Sequence, residues 1–190
     1  PWTGVFNFSL TASKIFNFLG VNKSKVGDRI AYVCGAFDLF HVGHVDFLEK
    51  VRQIANYVIV GVHTDQDVSR YCGGNFPILS LNERILSVLA CKYVDDVVIG
   101  APYSVTADIM DQLKKDIVCN AGTLYSTDYN ASDPYIVPKH RGKYFEVDCG
   151  NYLTTSAVVK RIGSSRLQYI RRNEEKERKE IAAFETIKRN

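Results

Sequence analysis

Two histidines three residues apart, His41 and His44, sit in the string Gly35-Ala36-Phe37-Asp38-Leu39-Phe40-His41-Val42-Gly43-His44. The string follows a short apolar run, Ile30 to Cys34, and opens a stretch with helical spacing from Val42. A strand that turns sharply at Gly35 into a helix presents backbone N–H groups and a positive dipole end beyond the sheet. Such a turn suits an anion, and Gly43 lets a phosphate approach the backbone closely. Two imidazoles flank that spot, one just before the helix and one in its first turn. They can donate hydrogen bonds to a reacting phosphate, whose transition state spreads charge over equatorial oxygens and requires no covalent intermediate. Asp38 is placed to brace the turn or to orient an imidazole. A His pair at this spacing, standing alone, could instead bind a metal or simply decorate a helix start. The full string after a strand favours the phosphoryl-type site, and no metal ligands are assigned.

The elements that must hold this turn follow from periodicity. Val45, Leu48 and Val51 share one face of a helix predicted over Val42 to Ala55. Strands are predicted at Ile30 to Cys34, Tyr57 to Val62, Asp96 to Ile99, Ile117 to Cys119 and Tyr144 to Val147. Further helices are predicted at Leu81 to Tyr93, Ala107 to Leu113 and Thr154 to Ile162, with a long polar loop after Cys119 reaching Arg141. Strands alternating with helices predict an α/β fold, Rossmann-like, with a parallel sheet of about five strands flanked by helices. Ligands of such sheets bind beyond the carboxyl ends of the strands, near the switch point. Residues 1–28 lack a clear period and carry Phe6, Phe8, Phe16 and Phe18, as a linker or packing segment would. Residues 29–164 form the predicted domain, and 165–190 a charged helix.

Composition excludes several classes. The chain has 190 residues, 46% hydrophobic and 24% charged, with a net charge of +3. That suits one soluble domain and is too weakly basic, with its bases interleaved among acids from Arg171 to Glu180, to suggest nucleic acid. No apolar run approaches the ~20 residues of a bilayer span. Cys34, Cys72, Cys91, Cys119 and Cys149 include no CxxC pair and read as reduced thiols of a cytoplasmic protein, neither a disulfide framework nor a zinc site. The only methionine is Met110. Removal of an initiator Met before Pro1 and a piece of a longer chain are both consistent with that.

The histidine string resembles the signature of the cytidylyltransferase superfamily, whose members move CMP from CTP onto a phosphorylated alcohol. The resemblance continues through Gly61-Val62-His63-Thr64-Asp65, the helix start Asn82-Glu83-Arg84, Tyr93-Val94-Asp95-Asp96-Val97-Val98 and Gly100-Ala101-Pro102-Tyr103, and ends in the tail from Tyr169 to Asn173. Within the superfamily, Phe40 to Val51, Ala101 to Tyr103 and the entry segment Ser9 to Phe18 look most like the second half of the tandem ethanolamine-phosphate enzymes. The resemblance implies a nucleotidyltransferase fold in which His41 and His44 are catalytic. It also implies CTP and phosphoethanolamine as substrates, Mg²⁺ accompanying the triphosphate, and an N-terminal half in the full chain. Gly35, Ala36, Phe37, Gly43, Asn120, Gly122, Thr123, Thr154 and Thr155 would border the nucleotide. Asp65, Tyr103 and Tyr125 would surround the acceptor's ammonium, a carboxylate with aromatic faces being a sound holder of a small cation.

Two departures set a rival expectation beside this one. The family usually places a lysine before the glycine of the second loop, where this chain has Cys72 in Tyr71-Cys72-Gly73; Arg70 could replace that lysine only by another route. The family's RTEGxSTT motif carries an arginine for the triphosphate, whereas this chain reads Asp148-Cys149-Gly150-Asn151-Tyr152-Leu153-Thr154-Thr155. The threonines remain at a helix start, where Thr154 could cap the helix as readily as bind phosphate. The rival is a catalytically weak half that supports an active partner domain. A phosphocholine enzyme is a third reading, opposed by the want of a long basic amphipathic helix, since residues 171–190 carry only Ile181, Phe184 and Ile187 on one face. His63 and His140 look structural or exposed and receive no role.

Overall fold

Valine and isoleucine fill the strand runs with no polar alternation, the pattern of strands covered on both faces. The computed structural model describes residues 25–112, 116–122, 133–151 and 153–189. Its strands are β1 (Ile30–Gly35), β2 (Tyr57–His63), β3 (Asp96–Ala101), β4 (Ile117–Asn120) and β5 (Tyr144–Glu146). They form one five-stranded sheet in the order β3-β2-β1-β4-β5, every pair parallel. All seven residues of β2 are buried. The helices among the described residues are α1 (Val42–Ile54), α2 (Asp65–Cys72), α3 (Leu81–Leu89), α4 (Ala107–Gln112), α5 (Ile136–His140) and α6 (Thr155–Arg189).

Two apolar clusters cover the two faces of the sheet. One gathers Val33, Val58, Val60 and Val62 with Phe47, Leu48 and Val51 of α1 and Ile85 and Val88 of α3. The other packs Tyr32, Ile59 and Val118 against Met110 of α4 and Tyr135 beside α5. Each fully buried side chain of this size contributes about 1.5–3 kcal/mol. Backbone approach is tight where β2 crosses beneath Tyr32. A Cβ on Gly61 would lie 2.3 Å from the Tyr32 hydroxyl and 2.7 Å from the Ala101 Cβ, so only glycine fits.

The sheet order reverses between β1 and β4, since the chain runs outward from β1 through β2 to β3 and then returns to the opposite side. Loops leaving the carboxyl ends of β1 and β4 therefore diverge and open a crevice. The β1 loop carries the histidine string.

Some elements differ from the sequence expectation. α2 and α5 have no counterpart in the sequence expectation: α2 is eight residues long with Val68 as its one buried residue, and α5 is five residues long and contains Pro138. Neither is long enough to register a helical period. α3 stops at Leu89 rather than Tyr93, because Ala90 and Cys91 turn the chain through hydrogen bonds to Leu86 and Val88 carbonyls. The chain divides into two compact units, residues 1–152 and 153–190. In the second, α6 is one helix across the 164/165 boundary; Gly163 costs it only about 1 kcal/mol relative to Ala. Residues 1–24, which include most of the expected N-terminal packing segment, lie outside the described residues.

Candidate active site

The turn after β1 is held in a conformation its residues do not favour. Phe37 and Leu39 have φ of 49° and 45°, a left-handed region that costs a non-glycine residue on the order of 1 kcal/mol or more. Asp38 between them compensates. It is buried, and its carboxylate accepts the N–H groups of Ile78 at 2.7 Å, Leu79 at 2.9 Å and Leu39 at 3.0 Å. Asp38 thus braces the turn, the first of the two roles expected for it, by tying it to the loop before α3.

That brace presents the two imidazoles together. His41 is the N-cap residue of α1, and the His41 and His44 rings stack with centroids 3.9 Å apart. The His44 ring is also stacked on Phe40 and tilted against Phe37, at 5.4 and 5.3 Å. His44 Nδ1 accepts the His41 backbone N–H at 3.2 Å, which leaves the proton of the neutral ring on Nε2. Burial, helped by the charge of His41, pushes His44 down to about 3, and burial lowers His41 as well. Both rings are therefore neutral at physiological pH. The ring nitrogens of His41 are buried and meet no hydrogen-bond partner among the described residues. Gly43 is buried in the first turn of α1, and Gly35 and Ala36 form the start of the turn.

A fully buried arginine on α3 fastens this turn to the neighbouring strand. The Arg84 guanidinium donates to the carbonyls of Ala36 (2.6 Å), His63 (2.8 Å) and Leu79 (3.1 Å) and to the Asp65 carboxylate (2.6 Å). In the sequence Arg84 stands out only as part of a helix-start motif. Its burial depends on three segments meeting, which no local pattern announces. Asp65 lies in the first turn of α2 with its side chain half exposed, so one face of its carboxylate is open to solvent while the other is neutralised.

Beyond β2 and β3 stands an aromatic cluster. Tyr103 packs on Tyr71 with centroids 4.9 Å apart, and the edge of His63 meets both rings, at 5.6 Å from Tyr71 and 5.7 Å from Tyr103. On the other side of the crevice, Asn120 ends β4, buried, with Nδ2 donating to the Tyr144 hydroxyl at 3.3 Å. Gly122 follows with φ of 67°, and a Cβ there would strike the Glu146 carboxylate at 2.6 Å. Thr123 and Tyr125 lie outside the described residues.

The turn after β1, the strand ends at Asn120 and His63, and the crevice between them are the geometry of a nucleotide-binding α/β sheet. Residues 32–146 match the cytidylyltransferase-like family. The chain belongs to that family. It is 52% identical over 99% of its length to the mouse (Mus musculus) ethanolamine-phosphate cytidylyltransferase, covering 47% of that protein. It is 46% identical to the Dictyostelium discoideum ethanolamine-phosphate cytidylyltransferase over 97% of its length, covering 52% of it. Against the rat (Rattus norvegicus) choline-phosphate cytidylyltransferase A, identity is 33% over 75% of the chain, covering 38% of the relative. The chain spans about half the length of the first two relatives. Among solved structures, the lipopolysaccharide core biosynthesis protein from Thermoplasma volcanium GSS1 superimposes with a TM-score of 0.51 at 21% identity, covering 64% of this chain and 98% of that one. At that identity the likeness concerns the fold alone.

Two segments depart from the resemblance. Cys72 ends α2 with an exposed side chain, and partial desolvation followed by the charge of Asp38 raises the thiol's pKa, so it is neutral. Arg70 pairs with Asp67 at 3.4 Å. In the loop after β5, Asp148 accepts the Gly150 N–H at 2.8 Å, and Asn151 Nδ2 ties the loop to Asp46 of α1 at 2.6 Å. At the start of α6, Thr154 Oγ1 accepts the Ala157 N–H at 3.2 Å, a helix cap, with Thr155 next to it. All five cysteines are free thiols, and no helix of the described residues is long and apolar enough to cross a membrane.

Proposed function

We propose that this protein transfers CMP from CTP to phosphoethanolamine, giving CDP-ethanolamine and pyrophosphate. A phosphate oxygen of phosphoethanolamine attacks the α-phosphorus of CTP in line. The new O–P bond forms as the bond to the β-phosphate oxygen breaks, and pyrophosphate leaves with that electron pair. The carrying observation is the stacked, neutral His41–His44 pair at the switch-point turn, with His44 Nε2–H and both His41 nitrogens left for substrate. Donors aimed at the reacting phosphate from a preorganised, largely dry turn act mainly on the transition state. The Asp38 and Arg84 bonds supply that preorganisation.

In this reading Gly35, Ala36, Phe37 and Gly43 approach the phosphates, and Asn120, Gly122 and Thr123 border the nucleoside. Asp65, Tyr103 and Tyr125 take the acceptor's ammonium, and the relatives' names favour ethanolamine over choline there. Magnesium would enter as the counter-ion of the triphosphate, held by phosphate oxygens and water. Among the described residues no three His, Cys, Asp or Glu side chains converge on a metal position, so no step is assigned to a protein-bound ion. The relatives' greater length supports a second cytidylyltransferase half in the full protein, and the five free thiols suit the cytoplasm.

A second reading has its own observation. Neutral Cys72 and the arginine-free 148–151 loop favour a half that binds nucleotide weakly and supports an active partner. Calorimetric titration with CTP, followed by phosphoethanolamine, distinguishes them. The enzyme reading expects heat from both ligands, with the acceptor binding better after CTP. Heat from neither would leave the supporting half as the account.

A further inference from the structure

One buried polar atom near the candidate acceptor site has no assigned task. His63, the last residue of β2, is only 3% exposed, and its Nε2 is buried with no hydrogen-bond partner among the described residues. Leaving such an atom unsatisfied is costly, and the exceptions in native structures call for an explanation. An irregularity in the sheet lies beside His63. Register between β2 and β3 is regular through Val62 and Ile99, then slips so that His63 faces Ala101, with Gly100 as the extra residue at φ of 61°. Bulges of this kind, here in β3, bend the bulged strand and are frequent beside sites. The His63 ring meets Tyr71 and Tyr103, and its Nδ1 lies 2.9 Å from the Tyr71 hydroxyl.

That hydroxyl can donate to Nδ1 or accept from it. The ring can therefore place its proton on Nδ1, keep the bond to Tyr71, and leave Nε2 as a lone-pair acceptor. Burial, with Arg84 lowering and Asp67 raising, takes His63 down to about 4, so the imidazole is uncharged and does not repel a cation. Two residues along the chain, the half-exposed Asp65 carboxylate supplies the negative charge a cation needs, and Arg84 binds both the His63 carbonyl and that carboxylate.

Resting on the proposed function, we infer that His63 selects a primary ammonium over a trimethylammonium acceptor: Nε2 accepts one ammonium N–H, once the Tyr103 ring, on the bend after β3, turns aside to admit it. A primary ammonium brings three N–H donors and satisfies the orphan nitrogen. A trimethylammonium has none and leaves that nitrogen unsatisfied. Tyr103 then covers the cation with an aromatic face.

The test compares phosphoethanolamine and phosphocholine binding to the wild-type protein, His63→Phe and His63→Gln, by calorimetry in the presence of CTP. Loss of a charge-assisted hydrogen bond predicts that His63→Phe weakens phosphoethanolamine roughly 10- to 100-fold and moves phosphocholine by less than about twofold. His63→Gln, whose amide oxygen reaches the Nε2 position, recovers part of the loss. Equal weakening of both ligands, or no weakening of either, overturns the inference. If His63→Phe does not fold, ¹⁵N spectra of the wild-type imidazole decide: a shift of Nε2 with phosphoethanolamine and none with phosphocholine supports it, and identical responses overturn it. If the wild-type protein binds neither acceptor, the proposed function itself falls, an outcome distinct from loss of discrimination alone.

Discussion

Replacing Arg84 by methionine keeps most of the side-chain volume and removes every bond the guanidinium makes. Ala36, His63 and Leu79 carbonyls lose their donor, and Asp65 loses its counter-ion. A buried acceptor left unsatisfied costs about 1–3 kcal/mol, and removing one partner of a buried ion pair about 3–5 kcal/mol. These costs overlap, because Asp65 is half exposed and water can reach it. The expected net loss is therefore about 3–5 kcal/mol, a Tm decrease of roughly 10 °C or more for a domain of this size. Urea unfolding followed by circular dichroism measures it. Arg84→Lys, which reaches only one or two of the acceptors, should lose about half as much. Because Ala36 belongs to the turn before the histidines, Arg84→Met should also weaken CTP binding in whatever protein remains folded. A loss below about 1 kcal/mol with unchanged CTP binding would refute the view that Arg84 fastens the turn to β2.

Cys72→Lys restores a cation at the second loop and should tighten CTP binding by about 1–3 kcal/mol with a steeper salt dependence in calorimetry; unchanged affinity and Tm would argue that the position does not face a nucleotide. Acidification should destabilise the fold. His44 and His63 titrate near 3 and 4 in the folded state against an ordinary 6.5, so the unfolded chain binds protons first as pH falls. Stability is full above about pH 6.5 and declines toward pH 4 by up to roughly 1.4 kcal/mol per unit for each ring, and urea midpoints across that range should show His63→Phe with a shallower slope. Gly61→Ala drives a methyl into the Tyr32 hydroxyl and Ala101, an overpacking that should cost at least about 1–3 kcal/mol in thermal unfolding.

What the sequence made legible was local. Tyr57 to Val62 reads as a buried parallel strand because both its faces are covered, and the histidine turn reads as a phosphate site because a strand, glycine and helix start lie within one short string. The role of Asp38 was half legible: bracing was expected, yet its partners Ile78 and Leu79 stand 40 and 41 residues away. Arg84 could not be seen, since an arginine on a short helix normally faces solvent and this one is buried by the meeting of three segments. Nor could the aromatic cluster, whose members come from β2, α2 and the loop after β3. His63 reads as structural or exposed and Tyr71 only as the neighbour of Cys72, because their contact joins the end of β2 to α2 and has no sequence period.

The central claim is that the His41–His44 pair stabilises CMP transfer. ³¹P NMR of the protein with CTP and phosphoethanolamine, beside His41→Ala and His44→Ala, tests it most directly. The account predicts pyrophosphate and CDP-ethanolamine appearing together. Each substitution should slow their formation on the order of 10²- to 10³-fold while changing CTP affinity far less. Equal losses of CTP binding and turnover, or product formation that survives both substitutions, would contradict it and return the histidines to a structural place at the start of α1.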